Sequence, residues 1–316
     1  MPKISIVTYT YNRVHLLPRV IESVLAQTFR DFEYIIINNG STDDTQPFLE
    51  QYKAKDSRIS VVTRTYNDIS PKNFTLLRDM LEERRSTYFM QVDDDDYIEP
   101  TTVAKLYEFI TGHDADIAIV GSKWIYPDGT VKNKFTFGET YIFSRVEAMT
   151  ELLKREKFNS AQGGKLYRKS LFRNIIPPPV DIHRDIHREY RVINNIRRMV
   201  VTGEPLYYFY RHNVNSSGLD TKEQIMPQRM RQHLEANAMR TEWLAENMPE
   251  IKDFVFYCEL SFMISLYERI HRLDVQSCFD IALEMKETLI KHSAFLSGCS
   301  FCTERENEIL MSAGLH

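Results

Sequence analysis

No stretch of the chain approaches the ~18 uninterrupted apolar residues that a membrane-spanning helix needs, which excludes synthases that extrude a polymer through their own membrane channel. Cysteine is scarce: Cys258, Cys278, Cys299 and Cys302 all fall near the C-terminus, so no disulfide framework is expected. The single pair Cys299-x-x-Cys302 lacks the second pair of a zinc ribbon and reads as ordinary thiols. Residues 8–20 contain no glycine, which removes a glycine-rich phosphate loop behind the first strand. Positive charge is not in excess either: 40 Lys and Arg stand against 44 Asp and Glu, for a net charge of −4. With a pI near 6.2 there is no global basic field to draw nucleic acid. Residues 1–8 hold too short an apolar core for a secretory signal, so a cytoplasmic protein is expected.

What remains is an ordinary globular composition, 43% hydrophobic and 27% charged, in 316 residues. Ile4–Tyr9 is a β-branched run without helical period and reads as a buried strand. Leu17, Val20, Ile21, Val24 and Leu25 recur at three and four, an amphipathic helix over Leu16–Phe29. Strands at Tyr34–Ile37, Ile59–Thr63 and Tyr88–Val92 alternate with helices at Thr45–Lys53 and Phe74–Arg85. Such βαβ spacing predicts a parallel, doubly wound sheet over roughly the first 110 residues. A strand at Asp116–Val120 follows, then a hairpin turning on Pro127-Asp128-Gly129. Gly164–Arg173 and Ile186–Ile196 read as helical, Leu206–Arg211 as a short aromatic strand, and Thr221 onward as helix almost throughout. The expected organisation is a catalytic domain over 1–218, with halves at about 1–112 and 113–218, and a helical domain over 219–316.

Ligands of such sheets bind at the carboxyl ends of the strands. The polar clusters fall there: Thr10-Tyr11-Asn12-Arg13, Asn38-Asn39-Gly40-Ser41, and the run Asp93-Asp94-Asp95-Asp96. In an extended segment Asp93 and Asp95 share one side, while Asp94 and Asp96 point elsewhere. Four adjacent carboxylates raise one another's pKa unless a cation neutralises them, and hard oxygen ligands suit Mg²⁺ or Mn²⁺. Two readings of the run stand side by side, a solvated acidic loop and a metal site.

These pieces resemble glycosyltransferase family 2, inverting enzymes of GT-A fold. The family's turn after the first strand is matched by Tyr9-Thr10-Tyr11-Asn12, and its Asp-Asp/Asn-Gly-Ser-x-Asp by Asn38-Asn39-Gly40-Ser41-Thr42-Asp43. A basic residue before Asn appears as Lys72-Asn73, and Asp-x-Asp-Asp as Asp93 to Asp96. Lys165-Leu166-Tyr167-Arg168 is similar to the family's Lys-Leu-Tyr-Arg, and Tyr207-Tyr208-Phe209-Tyr210-Arg211-His212 with Ser216-Ser217 to the close of its catalytic domain. The resemblance covers about residues 3–218 in order.

The resemblance implies an α/β fold, a mostly parallel sheet flanked by helices, and transfer of a hexosyl or N-acetylhexosaminyl group from a nucleotide sugar, with uridine diphosphate as the expected carrier. It implies that Thr8, Tyr9, Asn12 and Asn39 serve the nucleotide, with Lys72 as a nearby cation. It also implies that Asp93 reaches ribose or metal, that Asp95 holds Mn²⁺ or Mg²⁺ against the phosphates, and that Asp94 lines the same site. Arg211 and His212 would contact the diphosphate. The base that takes the acceptor proton would be Asp185, at the start of the helix behind Lys-Leu-Tyr-Arg, with Asp181 as second candidate; Arg184 stands where the family has Glu.

Each assignment has a plainer counterpart. Lys72 and His212 also suit surface positions, and Asp185 also suits a helix N-terminus. His183, His187 and His212 match no zinc spacing. Trp124, Tyr126, Phe135 and Phe137 suit either a sugar-stacking platform or packing. Tyr257, Phe262, Tyr267 and Ile270 recur at helical spacing and suit packing on the catalytic domain or a homodimer. Partners expected are the donor and a glycan, lipid-linked or protein acceptor, with peripheral membrane contact left open and no nucleic acid. Processive relatives carry Gln-x-x-Arg-Trp and membrane helices, which are absent here, so one sugar is added at a time. A sugar nucleotidyltransferase would need the missing glycine loop. A non-catalytic nucleotide-sugar-binding protein would not need the acidic run and a base.

Overall fold

The computed structural model describes residues 2–67, 72–176, 184–211, 219 and 221–314. They fall into two compact units, Met1–Asn213 and Val214–His316. The first unit opens with β1 (Ile4–Thr10), α1 (Leu17–Leu25), β2 (Phe32–Asn38), α2 (Thr45–Lys55), β3 (Ile59–Thr63), α3 (Lys72–Glu83), β4 (Tyr88–Gln91) and β5 (Tyr97–Ile98). It continues with α4 (Thr102–Gly112), β6 (Ile117–Ile125), β7 (Val131–Lys134), β8 (Thr140–Ser144), α5 (Arg145–Lys154), β9 (Lys165–Arg168), α6 (Arg184–Ile193) and β10 (Arg198–Tyr210).

The sheet runs β3-β2-β1-β4-β9-β6-β10-β5, with β7 added to β6 and β8 to β10. Strands β1 to β4 are mutually parallel, as the βαβ spacing predicts. Their apolar runs are buried because α-helical crossovers cover the sheet. Ile4, Ile6, Tyr34, Ile36, Met90, Leu17, Val20, Ile21 and Val24 form one core. Each such side chain contributes about 1.5–3 kcal/mol on burial. The remaining half is mixed: β9 lies antiparallel to both β4 and β6, and β10 runs parallel to β6.

Residues 164–173 are not helical. Gly164 has φ +75°, Lys165–Arg168 is a strand, and a short 3-10 turn covers Lys169–Phe172. The side chains of this stretch tolerate a helix, but pairing on both edges with β4 and β6 decides for a strand. The aromatic strand read at Leu206–Arg211 is the end of a longer one. Its register against β6 slips between Val201, Pro205 and Tyr207. Pro205 supplies no ladder donor, and the bulge bends β10 so that its first part pairs β8 and its last part pairs β5.

The second unit contains α7 (Pro227–Asn247), α8 (Lys252–Arg272), α9 (Phe279–Lys291), α10 (Ser293–Ser297) and α11 (Glu304–Ser312). Tyr257 and Ile270 are buried within it, and Phe262 and Tyr267 pack against its apolar cluster around Met230, Leu266 and Met285. Its four cysteines are free thiols, with burial pushing Cys302 up to about 11. Among the described residues no helix is long and apolar enough to cross a membrane.

Candidate active site

The carboxyl ends of β1, β2 and β4 come together. Asn12, held at φ 52°, accepts from Thr42 N–H at 2.8 Å, and its own N–H donates to Ser41 Oγ at 3.0 Å. Asn12 therefore laces the first strand-end loop to the second. Gly40 has φ +78°, and a Cβ there would meet Tyr66 backbone at 2.6 Å, so the Asn38-Asn39-Gly40-Ser41 turn requires glycine. Asn39 is buried; its Oδ1 accepts from Arg64 Nη1 at 3.0 Å, and its amide donates to Asn67 Oδ1 at 2.5 Å. The Arg64 guanidinium also sits 5.8 Å from the Tyr9 ring. Tyr9, Asn39, Arg64 and Asn67 thus form one polar wall. Thr8 is fully buried, its hydroxyl donating to Val92 O at 2.7 Å and accepting from Tyr34 at 3.0 Å, so its side chain ties β1 to its neighbours.

The acidic run is a turn and not an extended segment: Asp96 N–H donates back to Asp93 O at 3.1 Å. Side-chain alternation therefore does not sort the four carboxylates; their partners do. Arg13 Nη1 donates to Asp94 Oδ1 at 2.8 Å and to Asp95 Oδ2 at 3.3 Å. Arg19 donates to the Asp95 carbonyl and stacks on Tyr210 at 4.2 Å. Asp93 Oδ1 accepts from Gln91 at 2.8 Å. Asp96 is buried and accepts from Tyr207 OH at 2.7 Å and Tyr210 N–H at 3.0 Å, which makes it a structural member of the set. Tyr207 lies flat beneath the loop before β9; a Cβ on Gly163 would be 2.4 Å from its ring.

Burial pushes the Asp93 carboxyl up to about 6, with Asp95 and Asp94 adding to the rise. Burial likewise raises Asp94 against the pull of Arg13, and raises Asp96 well above the carboxylate range, helped by Asp93 and Asp95. Among the described residues no three His, Cys, Asp or Glu side chains form a metal cage of protein ligands alone. A pair of hard carboxylates completed by substrate phosphate oxygens is the donor set that Mg²⁺ and Mn²⁺ accept.

Helix α6 brings the remaining groups. Asp185 lies half-buried in its first turn. Arg188, on the next turn, is near enough for its charge to pull Asp93 down, and Asp185 is near enough to act on the Lys165 ammonium. The helix is anchored by Glu189, fully buried, which accepts from Lys165 Nζ at 2.6 Å, Tyr167 OH at 3.1 Å and Gln162 at 3.3 Å. Lys165-Leu166-Tyr167-Arg168 therefore serves as the socket for α6. Arg211 leaves β10 and stacks 4.5 Å above the Trp124 ring, on the β6–β7 hairpin. The Lys72 side chain, Asp181, His183 and His212 lie outside the described residues. Sequence reasoning missed Arg19, Arg64, Asn67 and Arg188. Arg13 had a signal, its place in the first strand-end cluster; the others are brought in by chain crossings that leave no local trace.

Residues 5–176 match the family model described as Glycosyl transferase family 2. Glycosyltransferase GlyA of Streptococcus pneumoniae is 28% identical over 183 residues, 55% of this chain and 25% of its own length. The poly(ribitol-phosphate) beta-glucosyltransferase of Bacillus spizizenii is 33% identical over 135 residues, 42% of this chain and 21% of its own. The chain thus spans a quarter or less of those two curated relatives. Among solved structures, S. aureus TarS 1–349 in complex with UDP-GlcNAc superposes with a TM-score of 0.65 at 19% identity, covering 98% of this chain and 84% of that one. That likeness is one of fold, and the fold is GT-A. With more than half of its residues inside the family match, this chain belongs to glycosyl transferase family 2.

Proposed function

We propose that the chain moves one sugar at a time from a nucleotide sugar, carried on uridine diphosphate, to an acceptor hydroxyl with inversion at the anomeric carbon. The observation that carries this reading is the junction of three strand ends around a carboxylate turn in which burial and its neighbours raise Asp93, with the Asp185 helix beside it. The relatives named as glucosyl- and N-acetylglucosaminyltransferases support a hexosyl or N-acetylhexosaminyl donor.

Tyr9 and Asn39 receive the base, Asn39 through a side-chain amide that can both accept and donate. Asp93 and Asp95 hold Mn²⁺ or Mg²⁺ together with the donor diphosphate. When bound, that cation offsets the negative charge gathered by the departing nucleoside diphosphate. Asp185 takes the proton of the acceptor hydroxyl as its oxygen bonds to the anomeric carbon and the bond to the diphosphate oxygen breaks. Arg188 faces the same carboxylates and screens Asp93 while the donor is absent. Lys72 and His212 stay assigned to the nucleotide by resemblance alone.

The test is release of uridine diphosphate from UDP-glucose and UDP-GlcNAc, measured with Mn²⁺ and with chelator. Turnover that requires the cation is expected. Asp185→Asn should lower transfer by ~10²–10⁴-fold and leave the thermal shift with UDP intact. Chelator-insensitive turnover would sink the metal assignment, and an unimpaired Asp185→Asn would sink the base. A sugar-free exchange of pyrophosphate would return the reading to a nucleotidyltransferase.

A further inference from the structure

In a chain of net charge −4, the β6–β7 hairpin carries a local strip of cations laid on aromatic rings. Arg211 stacks on Trp124 at 4.5 Å, Lys134 Nζ lies 5.4 Å from the same ring, and Lys132 Nζ lies 5.2 Å from the Tyr126 ring. Lys132 is exposed, and Lys134 and Arg211 are half-buried. Among the described residues none of the three has a carboxylate at ion-pair distance. Asp128, in the turn, accepts from Thr130 N–H at 2.9 Å, and the charge of Lys132 helps to hold its carboxyl below the ordinary value. Arg197, elsewhere in this unit, reaches Asp114 and Asp116 at 3.6 and 3.4 Å. Among the described residues the hairpin cations rest on ring faces and form no ion pair at 4 Å or less.

Residue alternation places the strip on the site's side of the sheet. Tyr207, Phe209 and Arg211 follow one another at every second position of β10 and its end. Tyr207 touches Asp96 of the acidic turn, and Arg211 touches Trp124. Four residues of extended strand separate those contacts, roughly 13 Å. Lys132 and Lys134 stand two residues apart on one face, roughly 7 Å, which suits charges repeated along a chain better than one compact dianion. Ammonium and guanidinium groups take phosphate oxygens, and the rings between them offer apolar faces to carbon–hydrogen surface.

We infer that this hairpin is the acceptor-binding surface, and that the acceptor is a linear polyol or sugar chain joined by phosphodiesters. The inference rests on the sugar-transfer reading for its direction, since the strip leads to the proposed transfer site. A single-stranded nucleic acid has similar charge and ring-stacking chemistry; continuity with the acidic turn favours the glycan-type chain.

The test uses fluorescent oligo(ribitol phosphate), with a neutral glucan oligosaccharide, a glucuronate polymer, a single-stranded oligonucleotide and phosphatidylglycerol vesicles as comparisons. Lys132→Gln/Lys134→Gln should weaken oligo(ribitol phosphate) binding about tenfold or more at low salt and flatten its salt dependence by about two ion contacts. The thermal shift with UDP should be unchanged in that variant. Equal binding by parent and variant overturns the proposal, as does parent binding of the glucuronate polymer, the oligonucleotide or the vesicles at least as tight as that of the phosphodiester probe. Loss of the UDP shift in the parent itself would instead defeat the sugar-transfer reading, because probe binding is measured without donor.

Discussion

Two of the centres that bury carboxylates in the first unit are wired in opposite ways. Glu189 meets an ammonium at 2.6 Å, a phenol at 3.1 Å and an amide at 3.3 Å, so its charge is cancelled and its lone pairs are used. At the Asp93–Asp96 turn Arg13 pairs with Asp94 and Asp95, whereas Asp93 and Asp96 accept from the neutral donors Gln91, Tyr207 and Tyr210 N–H. Buried charge costs several kcal/mol per ion unless it is paired. A protein meets that cost where the pair holds something in place, as Glu189 holds α6. It leaves the cost unmet only where a ligand completes the account, as at the turn. The comparison gives each centre a signature: removing a charge from the first should weaken the fold, and removing one from the second should not.

The largest effect is expected at the balanced centre. Glu189→Ala leaves the Lys165 ammonium buried without its counter-ion and should cost about 3–5 kcal/mol, measured by urea unfolding of the whole chain. Burial already pulls Lys165 below the ordinary lysine value, against the pull of Glu189. Replacing both partners, Lys165→Met with Glu189→Leu, should recover most of that loss. A Glu189→Ala protein as stable as the parent would show that α6 is held by its apolar face alone, and would erase the contrast.

A carboxylate in the helical unit sharpens the comparison from a third position. Among the described residues Glu306 has no counter-ion and is held by neutral donors: Tyr257 OH at 2.7 Å, Thr303 N–H at 2.8 Å and the Ser261 hydroxyl. Burial works against its ionisation, yet these hydrogen bonds outweigh burial and hold the carboxyl below the ordinary 4.5. A depressed folded pKa means that the stabilisation is present above pH 4.5 and is lost as pH falls through the folded value. Glu306→Ala should cost about 1 kcal/mol at pH 7, because water reaches part of the group. The deficit should shrink under acid conditions below pH 4.5. A deficit independent of pH would assign the loss to packing.

How much of this was legible in the sequence follows from the range of the forces involved. β1 to β4 were readable because strands buried on both faces are rich in apolar and β-branched residues, as Ile4–Val7 and Tyr34–Ile37 are. β9 was not, because Lys165-Leu166-Tyr167-Arg168 becomes a strand only by filling the gap between β4 and β6. The place of the acidic run was readable, but its turn was not, and period-two reasoning about Asp93 and Asp95 did not survive the hydrogen bond from Asp96 to Asp93. Arg13 meets Asp94 across a separation of 81 residues, and Lys165 meets Glu189 across 24. No local pattern encodes either pairing. The candidate site residues were visible as types, whereas the residues that hold them were visible only in three dimensions.

The smallest expected effect has the opposite sign and decides the comparison. Asp93→Asn keeps an oxygen to accept from Gln91 Nε2, now at 2.8 Å, and removes one of the mutually repelling charges. The Asp93 carboxyl is raised to about 6, so at pH 7 it is ionised in the folded protein at a cost absent from the unfolded chain. The amide removes that cost, and thermal unfolding without donor or cation should show stability unchanged or higher by about 1 kcal/mol. Donor turnover in the same preparation should collapse, since the carboxylate is no longer there to hold the cation and diphosphate. Neutral stability with lost turnover is the mark of a residue kept for its ligand. If Asp93→Asn instead destabilises the chain as Glu189→Ala does, the turn is a second structural clamp, and the division between charge that holds and charge that waits for a ligand fails at its centre.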